Sequence, residues 1–255
     1  MIVASANSHT GLITLQIDHQ KLALQLARKF GNHLVPELKP KESLEYLCGR
    51  IDEGWRDLDY DTPNDPHLGL PCDFRDLPFT NISQTWGKTI KGLVAYHPFC
   101  GLIASLLFCK QCKSGLYTWQ DKSIAQFIDS ETQRQDELRC KLREEFLTEH
   151  YADPKLIDIA LTQVSFIDEL ALDLITNKSK FKSYSLAAKE GNQVLAMEKI
   201  DQSVYCMSPF PFLGKEIEIC VRRFHFPTLK NQSSLNYRNI LTELEQVIET
   251  IRIVG

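Results

Sequence analysis

Apolar residues recur every three to four positions along most of the chain, which is the spacing of one buried helix face. The first stripe starts after Asp18 and ends at Phe30, just before the stop signal Gly31-Asn32. A dense charge pattern over residues 119–150, with few apolar positions, indicates helices that face solvent. Further helices are predicted over Glu42–Ile51, Thr85–Ala95, Pro98–Lys110, Lys155–Thr176 and Tyr237–Ile253.

Short runs rich in β-branched residues punctuate this helical pattern. They predict strands at Met1–Ala4, Leu12–Leu15, Val194–Met197, Ser203–Met207 and around the alternating Ile217, Ile219 and Val221. Residues 52–79 contain four prolines and predict an extended irregular segment. We therefore expect a mainly α protein, folded as a single domain over residues 1–255, with a small antiparallel β-sheet formed by N- and C-terminal segments.

Composition and charge narrow the expected partners. With 43% hydrophobic and 24% charged residues, the chain has the composition of a globular protein and not that of a disordered one. Its formal net charge is −4, so no positive field favours a nucleic acid or an anionic membrane surface. We expect a small molecule or another protein as the partner.

The N-terminus has no basic segment followed by an apolar run, and the longest nearly apolar run, Pro98–Cys109, is shorter than a membrane span. A cytoplasmic location is therefore expected, where the eight cysteines stay reduced. Cys109 and Cys112 form a C-x-x-C pair without a second pair at zinc-finger spacing, which favours buried structural thiols over zinc.

Acidic residues crowd the segment that follows the second predicted helix. Six carboxylates lie within fourteen residues, from Asp52 to Asp65, and the spacing does not match an EF-hand. A solvated acidic loop and a cation site both fit this pattern. No glycine-rich nucleotide loop, nucleophile elbow or His-Glu-x-x-His motif occurs in the chain.

Several segments resemble a family of bacterial proteins of unknown function, which has a His near the start of its first helix, a His-Asp-x-Gly-Trp motif and a Gly-x-Pro-x-x-Phe loop. A Pro-containing apolar helix and a late Asp-containing segment are further features of that family. The matching segments here are Asp18-His19, Ile51-Asp52-Glu53-Gly54-Trp55, Gly69-Leu70-Pro71-Cys72-Asp73-Phe74, Pro98 to Ser105 and Asp168 to Leu172.

That family's histidines and aspartates are similar in arrangement to the metal ligands of HD-domain phosphohydrolases, which are helical proteins. The resemblance implies an HD-like helical bundle with His19, Asp52 and Asp168 as metal ligands. An oxygen-rich set of this kind suits Mg²⁺ or Mn²⁺. However, Ile51 and Leu107 stand where the family places histidines, and aliphatic side chains cannot bind a metal.

Two functions remain open, and the sequence does not decide whether the protein is an enzyme. The first is an HD-like protein whose metal site is eroded and which binds a small ligand or a partner protein. The second is a divalent-metal-dependent phosphohydrolase. Simpler roles for His97 and His19 are local capping or packing at a helix start, and for Asp168 a pairing with a buried cation. The predicted ligand pocket consists of His19, Asp52, Glu53, Trp55 and His97.

Overall fold

The structure is a computed structural model that describes residues 1–6, 10–65, 67, 69–114, 122–144, 147–176, 180–188, 191–227 and 237–255. The opening strand pair and the predicted helices up to residue 113 are confirmed within a few residues, whereas residues 7–9 of the predicted opening turn lie outside the described set. The described helices are α1 (Gln16–Lys29), α2 (Lys41–Cys48), α3 (Arg56–Tyr60), α4 (Phe79–Tyr96), α5 (Pro98–Lys113), α6 (Lys122–Glu144), α7 (Pro154–Thr176) and α8 (Tyr237–Glu243).

Seven strands form one curled mixed sheet in the order β1-β2-β8-β9-β7-β6-β5. All neighbours pair antiparallel except β7 and β9, whose parallel register places Val204 opposite Arg252. A separate two-stranded ribbon, β3–β4, lies in the proline-containing segment. The strands are β1 (Ile2–Ala6), β2 (Thr10–Thr14), β3 (Asn64–Asp65), β4 (Leu70–Pro71), β5 (Phe181–Ala188), β6 (Gly191–Asp201), β7 (Val204–Ser208), β8 (Glu216–Pro227) and β9 (Gln246–Val254).

This sheet makes the molecule an α/β protein, so the prediction of a mainly α, HD-like bundle with a small antiparallel sheet is wrong. The N- and C-terminal strands do belong to the sheet, as expected. The main error is at the C-terminus, where Tyr237–Ile253 was predicted to be one helix. The helix α8 ends at Glu243, and β9 follows with Ile251 and Ile253 buried and Ile248 exposed, which is the alternation of a strand.

The helices form a layer that covers one face of the sheet. Helix α1 contacts both α7 and β8, and α7 also contacts β5 and β1. Helix α5 is buried along most of its length between α4, α6 and α7. One large apolar cluster joins these helices to the inner face of the sheet, so the site described below lies where the helical layer meets the sheet.

No helix among the described residues combines the length and the apolar character that a membrane crossing requires.

Candidate functional site

A buried ion pair joins α1 to the turn that precedes α3. The imidazole Nδ1 of His19 lies 2.6 Å from Oδ2 of Asp52, and both residues are more than nine-tenths buried. Burial by itself would lower the pKa of His19, but the charge and hydrogen bond of Asp52 outweigh it and raise that pKa to about 9. At neutral pH His19 is therefore an imidazolium that neutralises Asp52.

The backbone around Asp52 is held by side chains from two helices. Its N–H donates to Oε1 of Gln20 at 3.0 Å, and the Gln20 amide in turn donates to Glu53 at 3.1 Å. The N–H of Gly54 donates to Oγ1 of Thr89 on α4 at 3.0 Å. A Cβ at Gly54 would lie 2.0 Å from the carbonyl oxygen of Thr85, so only glycine permits this close approach to α4.

Asp168 on α7 lies beside this pair. Its backbone carbonyl accepts a hydrogen bond from Nε2 of His19 at 3.2 Å, and its side chain accepts one from Gln111 of α5 at 3.0 Å. Burial, with the nearby charges of Asp52 and Glu169, raises the pKa of Asp168 to about 6, although His19 opposes this rise. Asp168 keeps some accessible surface and lines the cavity described next, so a ligand in that cavity can contact it.

A cavity of about 350 Å³ opens next to Asp168, and we call it the Asp168 cavity. Its apolar wall consists of Trp55, Phe74, Trp86, Leu107, Phe108 and Leu172. Trp86 stacks on Phe108 with ring centroids 4.7 Å apart, and Trp55 meets Phe74 edge to face at 6.0 Å. Its polar lining includes Gln16, His19, Asp52, Gln111, Ser165 and Asp168. Such a concave, largely apolar site with a few convergent polar groups is typical of small-molecule binding.

Charged side chains surround the cavity in pairs. Lys182, from the edge strand β5, lies 2.9 Å from Glu169 and 2.8 Å from Asp173. Arg75 binds Asp73 through Nη2 at 2.9 Å. These cations and their carboxylates largely cancel one another, so the cavity has little net field of its own.

Of the predicted pocket residues, His19, Asp52 and Trp55 line the Asp168 cavity, whereas Glu53 and His97 do not. Glu53 forms surface ion pairs with Arg50 at 3.1 Å and Arg56 at 2.6 Å. His97 precedes α5, and its Nδ1 accepts a hydrogen bond from the N–H of Phe99, which is the local capping role considered above.

The acidic segment divides into exposed and buried carboxylates. Asp57 is exposed and lies 3.5 Å from Lys88. Asp59 is fully buried, where it lies 2.9 Å from the Met1 ammonium and accepts a hydrogen bond from the backbone N–H of Gln16. Asp59 is therefore used in structure, away from any cation site.

The three predicted metal ligands are brought together, but their donor geometry does not fit a metal ion. Both ring nitrogens of His19 are engaged, one by Asp52 and the other by the carbonyl of Asp168. Because a carbonyl oxygen can only accept a hydrogen bond, the second nitrogen carries a hydrogen and offers no lone pair to a metal. Ile51 is buried and Leu107 forms part of the cavity wall, so neither position supplies a further donor. Within the described ranges, no group of three or more His, Cys, Asp or Glu side chains could hold a metal ion.

Cys109 and Cys112 are both buried free thiols. Burial raises the pKa of Cys109 to about 11 and that of Cys112 to about 12, so both stay protonated at neutral pH. Of the two residues between them, Gln111 is the one that contacts Asp168. Four further lining residues are not predictable from the sequence, because only the tertiary fold brings them to the cavity: Arg75, Lys110, Gln111 and Lys182.

A family model described as "Protein of unknown function (DUF3891)" matches residues 1–227 of the chain. No curated protein and no solved structure matches it.

Proposed function

The chain belongs to this family of proteins of unknown function, and on that premise we propose that it binds a small organic molecule in the Asp168 cavity. The observation that supports this function is a partly exposed acidic residue, Asp168, among the residues that line a cavity with aromatic walls. A polar group in such a place costs free energy unless it meets a hydrogen-bonding partner. Among the described residues, the carboxyl group of Asp168 accepts one hydrogen bond, from Gln111, and a bound ligand would supply partners for its remaining acceptor sites.

The size and shape of the cavity favour a small molecule over a protein partner. Its volume of about 350 Å³ lies at the lower end of ligand pockets, and its walls are concave. The rings of Trp55 and Phe74 offer apolar surface to the body of the ligand, while Asp168 and Gln111 fix the orientation of its polar end. Rigid walls of this kind reduce the entropy that a ligand loses on binding.

The buried His19–Asp52 pair lines the cavity beside Asp168 and holds Asp168 in position. The imidazole of His19 donates a hydrogen bond to the backbone carbonyl of Asp168. This bond fixes the part of α7 that carries the Asp168 carboxyl group. Because its charge is already matched by Asp52, His19 is not the group that selects a charged ligand. Asp168 is the group that meets the ligand.

A ligand-observed NMR screen of small heteroaromatic and polar fragments tests this proposal. Leu172→Trp fills the cavity from α7, and Ile159→Trp places the same ring on the exposed part of that helix as a control. Fragments should bind the native protein and the Ile159→Trp protein but not the Leu172→Trp protein. Equal binding to all three proteins, or no binding to any of them, would show that the cavity is not a ligand site.

A further inference from the structure

Most charges that line the Asp168 cavity are already neutralised within the protein. The ion pairs have N···O distances of 2.5 to 2.9 Å, so these cations have carboxylate partners before any ligand arrives. The pairs are His19 with Asp52, Arg75 with Asp73, and Lys182 with both Glu169 and Asp173.

Two lining charges differ from this pattern, because among the described residues the side chain of each forms a hydrogen bond only to a neutral group. The carboxylate of Asp168 accepts a hydrogen bond from the amide of Gln111. The ammonium of Lys110 donates to the hydroxyl of Ser165 at 3.3 Å, and no carboxylate pairs with Lys110 among the residues that the structure describes. One negative and one positive group therefore remain for a ligand.

The fold places these two groups side by side. Lys110 and Gln111 are consecutive on α5, while their partners Ser165 and Asp168 are one turn apart on α7. Ser165 and Asp168 are three residues apart in the sequence, so the two cross-helix hydrogen bonds are about 4.5 Å apart along α7. Lys110 is exposed whereas Asp168 is only partly so, which puts the positive group nearer to solvent.

We propose, resting on the proposed function, that the ligand is a small zwitterion of the amino-acid class with an apolar side chain. Its ammonium group lies against Asp168 and Gln111, and its carboxylate lies against Lys110 and Ser165. The opposite charges of the ligand match the two unneutralised groups in sign and in order from the base of the cavity to its mouth.

The aromatic wall accounts for the apolar part of this ligand. Leu107 and Leu172 line the cavity together with the rings of Trp55, Trp86 and Phe108. An aromatic or branched aliphatic side chain buries its surface there, while a short polar side chain leaves the same wall exposed to water. L-phenylalanine is therefore a suitable first probe.

Isothermal titration calorimetry with L-phenylalanine tests the proposal directly. Phenethylamine lacks the carboxylate and 3-phenylpropionate lacks the ammonium group, so each should bind at least about tenfold more weakly than the amino acid. Asp168→Asn and Lys110→Met should each weaken binding of L-phenylalanine to a similar extent. Asp158→Asn and Lys113→Met alter exposed residues of the same two helices outside the cavity and should leave the affinity unchanged.

Binding of either truncated analogue as tightly as the amino acid would overturn the zwitterion proposal. The absence of L-phenylalanine binding would also overturn it. If uncharged fragments nevertheless bind in the cavity in the NMR screen, the small-molecule function stands and only the ligand class is wrong. If the fragments also fail to bind, the proposed function itself is wrong.

Discussion

At the scale of single residues, the His19–Asp52 pair places two charges where the surrounding core offers little solvation. The pair is stable because imidazolium and carboxylate are 2.6 Å apart and because Gln20 holds the backbone of Asp52. Removing one member leaves the other buried and uncompensated, which costs more than the intact pair contributes.

His19→Ala is therefore expected to lower the free energy of unfolding by about 3 to 5 kcal/mol. Urea denaturation measures this change. His33→Ala, at an exposed position beyond α1, is the control and should change stability by less than about 0.5 kcal/mol. An equal effect of both substitutions would mean that Asp52 does not depend on His19.

The same pair predicts a pH dependence. The pKa of His19 is about 9 in the folded protein against 6.5 for a free histidine, so its stabilising contribution is fully present below pH 6.5 and is lost as pH rises through 9. Asp52→Asn removes the charge that raises this pKa. The stability difference between the native protein and Asp52→Asn, measured by urea denaturation from pH 6 to 10, should shrink over that range. A stability difference that stays constant from pH 6 to 10 would contradict the ion pair.

Part of the site can be predicted from the sequence. The motif matches predict four residues that line the cavity, namely His19, Asp52, Trp55 and Asp168. No motif in the sequence predicts the remaining polar groups as parts of a ligand site. Gln111 lies between two cysteines and Lys182 follows Phe181 in an unremarked strand, so only the packing of α5, α7 and β5 shows that they share one cavity.

At the scale of elements, the turn that carries Asp52 is fixed by its contact with α4. Gly54→Ala introduces a Cβ 2.0 Å from the carbonyl oxygen of Thr85. This oxygen belongs to the backbone of α4, which cannot shift easily. We expect the free energy of unfolding to fall by at least about 2 kcal/mol, as measured by thermal or urea denaturation.

Two glycines within α4 provide a matched control for that substitution. A Cβ at Gly87 or Gly92 meets nothing within 4 Å. Gly87→Ala and Gly92→Ala should therefore be neutral or stabilise the protein by up to about 1 kcal/mol, because alanine favours a helix interior. Similar destabilisation by all three substitutions would show that helix geometry, and not the contact with Thr85, makes Gly54 necessary.

Element boundaries also show why the C-terminal helix prediction failed. Ile240, Leu244, Val247, Ile248 and Ile251 recur at helical spacing, yet the run from Val247 to Val254 is dominated by β-branched residues that favour a strand. Tertiary pairing decides the outcome, since β9 lies between β8 and β7 in the sheet. Strand β5 was not predicted either, because its sequence from Phe181 to Ala188 contains no β-branched residue.

At the scale of the whole molecule, Arg223 connects the sheet to the helical layer. It is buried on β8, lies 2.6 Å from Glu249 of β9, and donates to the carbonyls of Leu174 and Ile175 near the end of α7. Those carbonyls belong to the last turn of the helix, where backbone acceptors lack partners within the helix. One side chain thus ties α7, which carries Asp168, to two strands.

Arg223→Met should destabilise the protein by about 2 to 4 kcal/mol, because it leaves two carbonyls without a donor and Glu249 without its cationic partner. Arg252→Met is the control, since Arg252 forms an exposed pair with Glu216 and such pairs contribute less than about 1 kcal/mol. Thermal unfolding of both variants measures the two losses of stability. Equal shifts would mean that Arg223 does not link the layers.

The most direct measurement for the whole molecule is a crystal structure of the protein soaked with the tightest-binding compound from the NMR screen. The ligand-binding function predicts density inside the Asp168 cavity, packed against Trp55 and Leu172, with a polar atom within hydrogen-bonding distance of the Asp168 carboxyl group. Density for that compound only on the outer surface, with the cavity unchanged, would contradict it.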